Sequence, residues 1–86
     1  MKKLKKLRKK IDKIDKKIIS LLSDRMKVSQ NIGLIKKENS IDIIQNNRWK
    51  NITDNIEKMS IDKELNPVFV SEIYELIHKE SINNQK

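Results

Sequence analysis

Cysteine is absent from the 86 residues, which excludes disulfides, Cys-based zinc sites and thiolate catalysis. One glycine and one proline are too few for the turns of a β-protein. Helix formers fill the remainder, so the chain reads as all-α. Aromatic residues make up only 3%, so any core must be built from Ile and Leu. No run of 18 apolar residues occurs, and nothing in the sequence is suited to span a membrane. Met1 to Lys10 has the charge of a secretory n-region, but Asp12, Lys13, Asp15, Lys16 and Lys17 interrupt any apolar segment after it. The expectation is one cytoplasmic domain covering residues 1–86, since the chain is too short for two cores.

Charge is present in excess and unevenly placed. Residues 1–17 hold nine Lys and Arg8 against Asp12 and Asp15, a net of 10 − 2 = +8, the whole excess of the chain. The remaining 69 residues hold ten basic and ten acidic side chains. All the surplus basicity therefore lies on the first predicted helix.

That helix follows from a heptad pattern between Leu4 and Ile35. One apolar track is Leu4, Ile11, Ile18, position 25 and Ile32; the other is Leu7, Ile14, Leu21, Val28 and Ile35. Asn39 and Ser40 are its stop signals. About 34 helical residues at 1.5 Å rise span roughly 50 Å. A compact chain of this size has a radius of gyration near 12 Å and is only about 30 Å across. The helix must overhang its own domain and expose Ile and Leu. A dimer in which each long helix covers the other's overhang resolves this, and a chain this small is in any case marginal alone.

Trp49, Ile52, Ile56 and Met59 define a second helix over roughly residues 46–59, with Asn46 or Asn47 as N-cap and a possible extension through Asp62-Lys63-Glu64. Asn66-Pro67 is a good N-cap and N1 pair. Phe69, Ile73, Leu76 and Ile77 then mark a third helix to about Asn83.

Arg25 is the most informative residue, because it sits at a seam position where the same track otherwise holds Leu or Ile. A buried cation needs compensation. Either it snorkels or pairs with a carboxylate such as Asp24, or it receives an anion. Lys36 lies eleven residues later, about 20° around the helix and roughly 16 Å along it. The two long side chains can converge on one small anion. Ser29 and Gly33 lie near that stripe. A mid-helix Gly costs about 1 kcal/mol relative to Ala, so tight helix packing or close approach of a ligand must justify it. Arg8 stands seventeen residues before Arg25, about 25 Å away. In an antiparallel dimer with its axis near Lys16 and Lys17, Arg8 of one chain is level with Arg25 of the other. Gln45, Arg48 and Trp49 open the second helix, where backbone N–H groups favour anions. Ser81 and Gln85 stand i, i+4 on the third. Each of these last residues also has an ordinary surface role open to it, and His78 reads as a surface or packing residue.

The runs Leu7-Arg8-Lys9-Lys10-Ile11-Asp12-Lys13-Ile14-Asp15, Leu21-Leu22-Ser23-Asp24-Arg25-Met26 and Ile32-Gly33-Leu34-Ile35-Lys36-Lys37 together resemble the first helix of the all-helical (AroQ-class) chorismate mutases. Arg48 and Glu80-Ser81-Ile82-Asn83-Asn84-Gln85 fit the same register, so the likeness covers nearly the whole chain. The resemblance implies an intertwined, antiparallel three-helix homodimer that rearranges chorismate, a small dianion, to prephenate in aromatic amino acid biosynthesis. By position, Arg25 and the Arg8 contributed across the interface hold the two carboxylates, with Arg48 assisting and Ser81 supporting. Lys36 and Gln85 hydrogen-bond the ether oxygen whose bond breaks. No metal or cofactor is implied, because the reaction is a unimolecular rearrangement without nucleophile or general base. Association with a shikimate-pathway synthase is a further expectation.

Two positions depart from the family pattern. Many members carry Glu directly after the second-helix arginine, on the substrate's ring hydroxyl, where this chain has Trp49. Some carry Asp where this chain has Gln45, here placed among the substrate-binding residues. Domains fused to 3-deoxy-7-phosphoheptulonate synthase share an Arg-Trp pair. Three other readings compete: isochorismate pyruvate lyase on the same fold, a Lys-rich nucleic-acid binder, and a non-catalytic coiled-coil dimerisation module. Against nucleic acid, the Lys residues are scattered around the helix and aromatics for base stacking are nearly absent.

Overall fold

The heptad seam does form one uninterrupted helix. In a computed structural model that describes all 86 residues, α1 runs Lys2–Glu38, α2 Asn46–Asp62 and α3 Pro67–Gln85, with no strand. Helix α1 packs against α3, and α3 packs against α2. The molecule measures 58 × 24 × 16 Å, the long dimension matching about 37 residues of helix at 1.5 Å rise. No helix is long and apolar enough to cross a membrane.

Local chemistry accounts for the helix ends. Asn66 caps α3 by accepting from the Val68 N–H at 3.0 Å, and Pro67 occupies the first helical position as its fixed φ favours. Helix α2 starts one residue before the expected Asn caps: Gln45 holds the N-cap, without a side-chain bond to the first turn. The N-terminal N–H groups of α2 are therefore left without a side-chain cap. Both α1 and α2 end in Schellman turns. Ile41 N–H reaches Lys36 O at 2.8 Å and Leu65 N–H reaches Ser60 O at 2.8 Å. The left-handed residue in each turn is not glycine but Ser40 (φ 55°) and Glu64 (φ 60°). Glu64→Gly is expected to stabilise the protein by about 0.5–1 kcal/mol, because a Cβ is unfavourable at positive φ. A higher urea midpoint with unchanged activity checks it.

Packing is thin within one chain. Only Ile56 is a buried large apolar side chain, whereas Leu7, Ile11, Ile14, Leu21 and Val28 are each more than half exposed. Every residue from Met1 to Leu21 is exposed; the covered part of α1 begins at Leu22. The accessible surface is 7616 Å², against about 5,300 Å² for a compact protein of 10.2 kDa. The excess is roughly 2,300 Å², and the wholly exposed overhang of α1 contributes to it.

Candidate active site

The covered half of α1 faces α3 through small and polar residues. Ser29, Gly33, Ser81 and Gln85 are all buried, which is an unusual choice for a helix interface. Gly33 explains how close the helices come. A Cβ on it would lie 2.6 Å from Gln85 Cα and 2.8 Å from Gln85 O, so only hydrogen fits. Tight packing and proximity to a site are therefore the same contact. Gly33→Ala must push the end of α3 outward. We expect a loss of about 1–3 kcal/mol in stability and at least a tenfold fall in turnover, since a displacement of about 1 Å at positioned groups costs more than that. Denaturant titration and steady-state assay of the variant test both.

Hydrogen bonds tie the polar residues into a single array. Ser29 Oγ donates to Ser81 O at 2.9 Å, and Gln85 Nε2 donates to Ser29 Oγ at 3.2 Å. Arg25 Nη1 donates to Ser81 Oγ, whose own proton points to Met26 Sδ at 3.8 Å. Lys36 Nζ donates to Gln85 Oε1 at 2.6 Å and to Ile43 O at 2.7 Å. An ammonium has three protons, so one remains for a ligand. The Lys36 contact also assigns the Gln85 amide: its oxygen is engaged, and of the two NH₂ protons one goes to Ser29 and one remains. Arg25 has no carboxylate partner; its bond goes to a neutral hydroxyl, leaving the rest of its guanidinium fork free.

These residues line an open cleft of about 320 Å³, the lower end of the range for small-molecule sites. Its polar lining is Arg25, Ser29, Lys36, Gln45, Arg48, His78, Ser81 and Gln85, and its apolar lining is Val28, Ile32, Ile43, Ile52 and Ile82. Three cations and no carboxylate give the cleft a net positive lining that suits an anion. The uncapped start of α2, from which Gln45 and Arg48 project, adds the positive end of a helix dipole. Six of the expected site residues thus come together: Arg25, Lys36, Gln45, Arg48, Ser81 and Gln85. Arg8 does not join them in the same chain; it is exposed on the overhang.

The family model for chorismate mutase type II matches residues 7–86. The chain belongs to that family. A chorismate mutase of Methanocaldococcus jannaschii is 31% identical over 96% of this chain and 86% of its own length. A bifunctional chorismate mutase/prephenate dehydratase of Aquifex aeolicus is 37% identical over 96% of this chain, which spans only 23% of that longer protein. Among solved structures, a conserved hypothetical protein from Pyrococcus furiosus is similar with a TM-score of 0.76 and 36% identity, covering 100% of this chain and 99% of that one. Membership in this mutase family makes the protein an isomerase-class enzyme.

One lining residue escaped the sequence reading. His78, expected at the surface or in packing, is half-buried, lines the cleft and stacks on Trp49 with ring centroids 4.1 Å apart and planes at 18°. Burial first, then the charges of Arg25 and Lys36, push its pKa below the ordinary 6.5, so the ring is neutral at pH 7. The missed signal was spacing: His78 stands three residues before Ser81, on the same face of α3.

Proposed function

We propose that this cleft converts chorismate to prephenate, in a homodimer whose partner chain supplies Arg8. The observation that carries the reading is the carboxylate-free cleft, with Arg25, Arg48 and Lys36 converging beside the Lys36–Gln85 pair. Chorismate has two carboxylates and an ether oxygen, and these cations match that pattern of charge. In the rearrangement the C–O ether bond breaks as a C–C bond forms within the same molecule. No proton needs to be moved. The residues must therefore hold a reactive conformer and stabilise charge that develops on the ether oxygen.

Arg25 and the partner's Arg8 grip the two carboxylates through planar forks, with Arg48 assisting, which folds the side chain over the ring and removes unproductive conformers. Lys36 and Gln85 aim donors at the ether oxygen, where charge grows only as the bond stretches. Preorganised donors of this kind act on the transition state more than on the ground state. The excess surface of roughly 2,300 Å² per chain is in the range that permanent dimers bury. An antiparallel pairing along the exposed α1 seam brings the partner's Arg8 level with Arg25, about seventeen residues or 25 Å along the helix. Such a dimer would complete the cleft as well as cover Leu4 to Leu21.

Loss of chorismate and appearance of prephenate on adding the purified protein test the reading. Isochorismate must be assayed beside it: turnover of isochorismate alone would assign the same cleft to pyruvate elimination instead. The link between the Aquifex relative's mutase and dehydratase names also favours a role beside other enzymes of prephenate metabolism.

A further inference from the structure

We propose that His78, braced by Trp49, is the residue that receives the ring hydroxyl of the substrate. The inference rests on the chorismate reading and deepens it, because the hydroxyl is the one polar group of that substrate which cations cannot fully satisfy. A hydroxyl carries a proton and needs an acceptor. The cleft has no carboxylate to serve, and most of its acceptor oxygens are already engaged. Gln85 Oε1 and Ile43 O both accept from Lys36. Ser29 Oγ accepts from Gln85, and Ser81 Oγ accepts from Arg25. What remains is the side-chain oxygen of Gln45 and one ring nitrogen of His78.

Two observations favour His78. None of the chain's side-chain hydrogen bonds involves it, so its nitrogens are free for a ligand. It is also held in place. The near-parallel stack on Trp49 restricts the ring, whereas Gln45 is exposed and its side chain makes no cap bond. Trp49 does not itself line the cleft but fixes a ring that does. The neutral imidazole keeps one acceptor nitrogen, which can take the hydroxyl proton; a protonated ring would have lost that acceptor. Pairing Trp49 with His78 thus supplies on α3 the acceptor that α2 lacks at position 49.

The test measures binding of two bicyclic ether diacids that mimic the rearranging substrate, one with the ring hydroxyl and one without it. Calorimetry on the full-length protein gives both dissociation constants without relying on turnover. Wild-type protein is expected to prefer the hydroxylated diacid about tenfold, the strength of one good hydrogen bond. His78→Phe keeps a flat ring on Trp49 and should bind both diacids equally, with the hydroxyl-free one bound as in wild type. His78→Asn, which restores an acceptor, should recover part of the preference. A His78→Phe protein that keeps the tenfold preference, or a wild type that shows none, overturns the inference alone. If wild type neither consumes chorismate nor binds either diacid, the substrate reading falls and takes this inference with it.

Discussion

Lys36→Ala is expected to lower kcat about 10²–10³-fold, the usual cost of deleting one preorganised donor to a developing oxyanion, while changing KM much less. The argument lies in how the ammonium is held. Two of its protons are spent on Ile43 O and Gln85 Oε1, at 2.7 and 2.6 Å, which leaves the third aimed with little freedom. Under the proposed chorismate reading, charge on the ether oxygen exists mainly in the transition state, so loss of a donor to it is expected in kcat. Removing Lys36 also frees Gln85 Oε1, leaving the amide held only by its Nε2 bond to Ser29 Oγ, so its remaining donor is no longer fixed from both sides. The two donors therefore fail together, and Lys36→Ala combined with Gln85→Ala should be hardly worse than Lys36→Ala alone. Steady-state kinetics on variants shown by circular dichroism to be folded decide the matter. Retention of more than about a tenth of wild-type kcat by Lys36→Ala sits outside the range for such a donor and sinks its assignment.

Arg8→Ala and Arg25→Ala are each expected to cut kcat/KM by at least about 10²-fold, as for loss of one partner from a charged recognition pair. Mixing the two inactive proteins should restore activity. In a mixed dimer one site combines the intact Arg25 of one chain with the intact Arg8 of the other, while the second site lacks both. With random exchange about half the dimers are mixed, so about a quarter of all sites recover. Co-refolding the two variants from denaturant and assaying the mixture measures this directly. Activity that stays at the level of the separate variants would show that Arg8 does not act across an interface. The physical basis is the distance along α1: about 25 Å of rigid helix keeps Arg8 from the cleft of its own chain. The apolar seam between Leu4 and Leu21 meanwhile has no cover within that chain.

Much of this arrangement was legible in the residues. The heptad seam predicted a helix from Leu4 to Ile35, and α1 covers Lys2–Glu38 because nothing breaks it before Asn39. Asn66-Pro67 marked the start of α3 correctly, since both residues act through local geometry. The α2 cap was misplaced by a residue, because Asn propensity did not outweigh the path the chain takes from Ile43 to Arg48. Arg25 and Lys36 were legible as a pair because helical periodicity alone puts them on one stripe. His78 was not, since its place depends on where α3 crosses α1 and on Trp49 from another helix reaching its ring.

The distinction comes down to range. Periodicity, caps and the crowding of charge into residues 1–17 are properties of neighbours a few residues apart, and they were enough to establish three helices, an overlong basic first helix and a stripe of cations. Which oxygens accept from Lys36, which way the Gln85 amide faces, and why residue 33 has no side chain all follow from contacts 49 or more residues apart in the chain, apart from the local bond to Ile43. Helix crossing brings the α3 backbone within one hydrogen's width of Gly33, and that approach turns a stripe of exposed cations into a cleft.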